Sequence, residues 1–242
     1  MIGKALLLAG TDTGVGKTTV GLLLAAALQR RGLRVAAMKP VESGCDPGPQ
    51  DALALGAITG QTDLQQLCPY RLRLPVAPQS AAEAEGRTIE LAPIARTLEH
   101  LRREADVVLV ESAGGLGTPC APELLVIDLA RELELPLLLT ARHVLGTVGQ
   151  VLVALRLMRH EQVRCLGVVL SQTTDAIVGP EAATHAPLLG RHGGGVPLLG
   201  ILPHVGAMPP DAEALRRWAG ERVAQLERAL DLSSLVAWIA GA

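Results

Sequence analysis

The stretch from Gly10 to Thr19, Gly-Thr-Asp-Thr-Gly-Val-Gly-Lys-Thr-Thr, constrains this chain more than any other. A short apolar run, Ala5 to Ala9, precedes it, and an apolar helical pattern, Val20 to Leu28, follows it. Strand, glycine-rich turn, Lys-Thr and helix in that order make a phosphate-binding loop. Glycines let successive backbone N–H groups turn inward, and the helix N-terminus adds a positive partial charge. Lys17 would reach the outer phosphates, and the Thr18 hydroxyl would hold Mg2+. A strict G-x-x-x-x-G-K spacing places glycine at position 11, where this chain has Thr11.

Alternation of strand and helix continues from end to end. Apolar runs at Lys4–Ala9, Val35–Met38, Val107–Val110, Leu137–Thr140, Cys165–Leu170 and Leu198–Leu202 read as strands. Helical spacing predicts helices over Thr18–Arg31, Asp51–Ile58, Ser80–Glu85, Glu90–Arg103, Leu124–Leu133, Val148–Met158, Asp211–Leu230 and Leu232–Ile239. Tyr70–Leu74 reads as a short edge strand, and residues 179–196 carry no clear pattern. The expectation is an α/β fold: one doubly wound, mainly parallel sheet with helices on both faces, in a single domain over residues 1–242. Ligands of such sheets sit outside the carboxyl ends of the strands. The loops starting at Gly10, Lys39, Glu111, Ala141, Ser171 and Pro203 should therefore share one edge.

Composition narrows the function. Hydrophobic residues are 49% and charged residues 19%, which suits a buried core and excludes a disordered chain. A net charge of −2 and three Trp and Tyr residues in all (Tyr70, Trp218, Trp238) leave no basic groove or stacking platform for nucleic acid. No apolar stretch reaches the ~20 residues of a membrane span. Cys45, Cys68, Cys120 and Cys165 form no C-x-x-C pair or zinc spacing, so reduced thiols in a cytoplasmic protein are expected.

Lysine is scarce: Lys4, Lys17 and Lys39 only, in a chain that otherwise uses arginine. Lys39 follows a strand and precedes Pro40, where a compact ammonium would neutralise a carboxylate, carbamate or phosphoryl group. Glu111 closes an apolar run before small residues, which suits a carboxylate near Mg2+. Asp51, before an apolar helix, suits either the metal or an N-cap. Thr18, Asp51 and Glu111 supply hard oxygen donors, with phosphate and water completing the shell. Gly146-Thr147 opens a helix whose free N–H groups could receive an anion. Residue types alone indicate magnesium-nucleotide chemistry with an anionic second substrate.

Four motifs in order, G-T-D-T-G-V-G-K-T at 10–18, K-P-V-E-S-G at 39–44, D-A-L-A-L at 51–55 and V-E-S-A-G-G at 110–115, resemble the dethiobiotin synthetase family. The resemblance implies a homodimer that joins 7,8-diaminononanoate, CO2 and ATP, giving dethiobiotin, ADP and phosphate. It implies that Gly14, Val15, Gly16, Lys17, Thr18 and Thr19 hold the triphosphate. Asp51 and Glu111 with Ser112, Ala113 and Gly114 would line the nucleotide site, and Lys39 with Lys17 would be catalytic. Thr13, Ser43, Gly146 and Thr147 would meet the diamine substrate, the last two across the dimer interface. Ser171-Gln172 stands where the family usually has Asn-Asp beside adenine, and Pro203-His204-Val205 matches a later nucleotide-lining segment. The acidic ribose contact would fall near Asp211, and Gly149 stands where the family often has asparagine.

Three other readings fit less well. A ParA/MinD-type switch ATPase carries a lysine where this chain has Asp12. A cobyrinate amidating synthetase needs a further glutaminase domain. A binding module that hydrolyses nothing predicts no ATP turnover with the diamine.

Overall fold

The computed structural model describes residues 2–176 and 179–241. β1 (Lys4–Gly10) feeds the glycine-rich turn and α1 (Lys17–Arg30). Then come β2 (Val35–Met38), β3 (Val41–Ser43), α2 (Gln50–Thr59), α3 (Leu64–Leu67), β4 (Tyr70–Leu72), α4 (Pro78–Ala84) and α5 (Leu91–Glu104). β5 (Val107–Gly115) precedes a small hairpin of β6 (Pro119–Ala121) and β7 (Leu124–Leu125). The rest is α6 (Val126–Glu132), β8 (Leu137–Arg142), α7 (Thr147–His160), β9 (Cys165–Ser171), α8 (Ala182–His192), β10 (Leu198–Leu202), α9 (Ala212–Ala229) and α10 (Ser233–Ala240).

Six strands form the main sheet in the order β10-β9-β8-β1-β5-β2, every neighbouring pair parallel. Its strands are apolar on both faces because both faces are covered. In β1, Leu6 and Leu8 join the core under α1, α2 and α9, while Ala5, Leu7 and Ala9 join the core under α5, α6 and α7. In β5, Val107 and Leu109 face the first core, Val108 and Val110 the second. Full burial of Leu6, Leu7 and Leu8 stabilises the fold by about 1.5–3 kcal/mol for each side chain. Gly21 lets α1 lie close to the sheet: a Cβ there would stand 2.8 Å from a methyl of Leu8.

The doubly wound parallel sheet matches the expectation, with local corrections. Residues 70–72 pair with β3 in a separate two-stranded parallel sheet, so they form no edge of the main sheet. Leu124 and Leu125 belong to the hairpin, and the helix begins only at Val126. Residues 182–192 are helical despite Pro187, whose missing donor and ring weaken the helical pattern in the sequence. The strand order reverses beside β1, the place where an open α/β sheet leaves a crevice, and the phosphate loop stands there.

Candidate active site

The loop after β1 is shaped by two left-handed glycines, Gly14 (φ 68) and Gly16 (φ 94). At Gly16 a Cβ would also stand 2.6 Å from the Ser171 hydroxyl, so both backbone and space require glycine. Lys17 opens α1 and folds back, donating from Nζ to the Asp12 carbonyl at 2.9 Å. Arg142, at the end of β8, donates from Nη2 to the Thr13 carbonyl at 3.0 Å and from Nε to the Gly14 carbonyl at 3.3 Å. With these carbonyls drawn aside, the loop's outer face is left to backbone N–H groups.

Next to this loop three distant side chains converge. Thr18 donates to Glu111 Oε1 at 2.8 Å and to Asp51 Oδ1 at 3.1 Å. Lys39 Nζ lies 2.6 Å from Glu111 Oε1 and 2.6 Å from Asp51 Oδ2. Glu111 is fully buried, and its second oxygen, Oε2, has no hydrogen-bond partner among the described residues. An unpartnered buried carboxylate oxygen is costly unless a cation or donor arrives. With Thr18 and Asp51 it makes a hard-oxygen set suited to Mg2+. Among the described residues no cluster of three or more His, Cys, Asp or Glu side chains gathers that could hold a metal by itself. Phosphate oxygens would be needed to complete a shell.

Charge at the site is polarised. Burial opposes the charge on Lys39, but attraction to Glu111 and Asp51 outweighs it and raises its pKa above the ordinary lysine value. Lys39 is thus a fixed cation, unsuited to accept a proton. Burial pushes Lys17 the other way, down to about 8, with Glu111 only partly opposing it. Burial raises Glu111, partly offset by Lys39. Burial also acts upward on Asp51, but Lys39 dominates and lowers it.

Most of the sequence-derived residues meet in one cleft of about 540 Å3. Thr13, Gly14, Gly16, Lys17, Thr18 and Thr19 form its floor; Lys39, Asp51, Glu111 and Gly114 form one wall. Ser171, Gln172, Pro203, His204 and Val205 form the far end. His204 is held there by the Asp175 carboxylate. Val15 is buried behind the loop and Ser112 behind Glu111, so neither lines the cleft. Ala113, Ser43, Gly146 and Thr147 also lie outside its lining. Gly146 (φ 92) precedes α7, and Thr147 is 1% exposed with its hydroxyl unpartnered among the described residues.

Three corrections follow from these positions. Asp51 is no N-cap: α2 starts at Gln50, and Glu42 receives the N–H groups of Asp51 (3.0 Å) and Ala52 (2.9 Å) in its place. That leaves the Asp51 carboxylate free to turn toward Thr18 and Lys39. Glu111 does not end its strand, because β5 continues to Gly115 and Glu111 pairs with Leu8. Asp211 caps α9 through the Ala214 N–H and lines no part of the cleft. Thr173, Leu202, Gly206, Ala207 and Met208 line the cleft without a signal in the sequence, and Glu42 and Arg142 support it from outside the lining. Glu42, an acid between apolar neighbours in K-P-V-E-S-G, was the one legible signal among them.

The sequence profile of a family described as an AAA domain matches residues 4–211. An ATP-dependent dethiobiotin synthetase of Anaeromyxobacter dehalogenans (strain 2CP-C) is 38% identical over 187 residues, covering 76% of this chain and 82% of that protein. One from Bacillus cereus (strain G9842) is 35% identical over 196 residues, covering 80% of each. Among solved structures, the septum site-determining protein MinD of Pyrococcus horikoshii OT3, complexed with Mg-ADP, aligns over 99% of both chains. Its TM-score is 0.55 and its identity 17%, so that likeness establishes a shared fold and no more.

Proposed function

The chain belongs to the dethiobiotin synthetase family, ATP-dependent ligases of biotin biosynthesis, and from that premise we propose that it carboxylates 7,8-diaminononanoate with CO2 and closes the ureido ring at the expense of ATP. The observation that carries this reading is the convergence of Lys39, Asp51, Glu111 and Thr18 beside the phosphate loop. Lys39 adds a second buried ammonium to that of Lys17 beside the phosphate loop, where a carbamate and a phosphoryl group would meet.

One amine of the diamine captures CO2 as a carbamate. A carbamate oxygen attacks the γ-phosphorus and displaces ADP, giving a carbamic-phosphoric anhydride. The second amine then attacks the carbonyl, phosphate leaves, and the ring closes. Negative charge gathers where carbamate and phosphoryl group meet. Lys39, Lys17 in its protonated form and the loop N–H groups supply positive charge there. Thr18, Asp51 and Glu111 would hold Mg2+, which would supply charge neutralisation for the phosphates. Lys39 also keeps Asp51 and Glu111 in place as donors, because its ammonium contacts both carboxylates. Gln172 and His204 lie where the base end of the nucleotide would sit. Thr13 and Ser43 would face the diamine, and Gly146-Thr147 of a second copy would receive its carboxylate. The reading places this work in one domain over residues 1–242, in a cytoplasmic homodimer. No helix among the described residues is long and apolar enough to cross a membrane.

Purified protein should form ADP only when diamine and bicarbonate are both supplied. Hydrolysis at a similar rate without the diamine would sink the reading. Lys39→Ala should keep nucleotide binding and lose turnover by about 10^2- to 10^3-fold, as expected when a preorganised charge is removed. Complementation of a strain lacking the ring-closing step of biotin synthesis tests the assignment in cells.

A further inference from the structure

Lys4, the lysine with no part in the chemistry above, lies in the wall of a second cavity of about 520 Å3 at the opposite end of the sheet. Its Nζ sits 5.8 Å from the centroid of the Trp238 ring, and Arg164, Leu135 and Val163 share the wall. Among the described residues neither Lys4 nor Arg164 has a carboxylate within 4.0 Å. Arg131, on the rim, differs: Glu161 at 2.6 Å, Asp128 at 3.0 Å and Glu132 at 3.2 Å neutralise it. Arg131 lies in the last turn of α6, where a cation offsets the helix dipole. Lys4 and Arg164 stand at the starts of β1 and β9 and serve no helix end.

The rim carries a second, independent anomaly. Glu134 (φ 51) and Gln162 (φ 58), directly after α6 and α7, hold left-handed backbone. The chain makes the same turn after α1, α2 and α4 with Gly32, Gly60 and Gly86. A side chain in this conformation is strained, and such strain gathers at functional sites. A third such residue, Glu123 (φ 57), lies in the turn between β6 and β7 and lines no part of this cavity, whereas the two that follow helices both line it with polar side chains.

We propose that this basin is a second ligand site, for a small organic anion with a flat or apolar body. Lys4 and Arg164 take the anionic head, and the half-buried Trp238 ring takes the body. β1, β8 and β9 run from this cavity to the nucleotide cleft, so the two sites lie at opposite ends of the same strands and do not compete. The proposal is independent of the reaction assigned above.

The probe is 4-phenylbutyrate, titrated into the full chain by calorimetry and by Trp emission, with and without saturating ATP. Phenylbutyrate should bind saturably, one per chain, with unchanged affinity when ATP is present. The neutral alcohol 4-phenylbutanol and inorganic phosphate should each bind at least about tenfold more weakly, since each lacks half of the recognised chemistry. Lys4→Gln and Arg164→Gln should each weaken binding about fivefold to tenfold, and Trp238→Leu should abolish the emission change while leaving ADP formation intact. Displacement of the probe by ATP, equal binding of the alcohol, unchanged affinity in both charge variants, or no saturable binding up to about 10 mM would each overturn the proposal.

Discussion

Lys17 and Lys39 share a cleft and the same two carboxylate neighbours, yet their charges have opposite standing. Lys39 touches both Asp51 and Glu111, whereas among the described residues the Lys17 amine donates only to the Asp12 carbonyl. Lys17, pushed down to about 8 by burial, loses its proton in the folded protein while the unfolded chain still holds it. Between pH 8 and the ordinary lysine value, stability therefore rises with pH as the buried charge disappears. A bound triphosphate restores the charge, so nucleotide binding must take up a proton in that window. The uptake should be large at pH 9, above the lowered Lys17 value, and small at pH 7, below it. Calorimetry in buffers of different ionisation enthalpy measures it, and a pH-independent value would refute the assignment to Lys17. Gly16→Ala addresses the loop itself: with φ 94 and the Ser171 hydroxyl 2.6 Å from the new Cβ, the strain should cost about 1–3 kcal/mol. Urea denaturation reports that loss, and nucleotide affinity should fall more than tenfold alongside it.

Elements are held to this site by side chains from their neighbours. α2 has no capping side chain at Pro49, and Glu42 of β3 supplies the acceptor from outside the helix. The same contact sets the angle at which Asp51 meets Thr18 and Lys39. Glu42→Ala should cost about 1–2 kcal/mol in chemical denaturation, the usual worth of a lost cap. Glu42→Gln, which keeps one acceptor oxygen, should recover part of both stability and turnover. Equal losses in the two variants would mean that the carboxylate charge, and not the cap, matters.

Across the whole molecule, the parallel sheet brings six strand ends to one edge, and apolar side chains are exposed in the turn before α7 and on α7 itself. Val144 is 48% exposed, Leu145 79% and Val153 68%. A cluster of exposed apolar residues around the helix N-terminus at Gly146-Thr147 suits the proposed subunit interface. Leu145→Asp with Val153→Asp should shift the protein from dimer to monomer in sedimentation velocity. The same pair should raise the KM for the diamine while leaving nucleotide affinity near the wild-type value. A variant that stays dimeric, or loses both substrates together, would place the interface elsewhere.

Local chemistry was legible in the sequence because it is written in contiguous residues. Strand, glycine turn and Lys-Thr specify the loop, apolar runs joined by helical stretches specify a parallel sheet, and the motifs at 39–44, 51–55 and 110–115 name the partners. Tertiary packing alone decided how they meet. Lys39, Asp51 and Glu111 lie 12 to 72 residues apart, and only the order β1-β5-β2 closes them to 2.6 Å. The cap that Glu42 lends to α2, the grip of Arg142 on the loop carbonyls and the opposite titration of two lysines depend on burial and distance between remote segments. No local pattern carries that information, because desolvation and Coulomb attraction act through space and not along the chain.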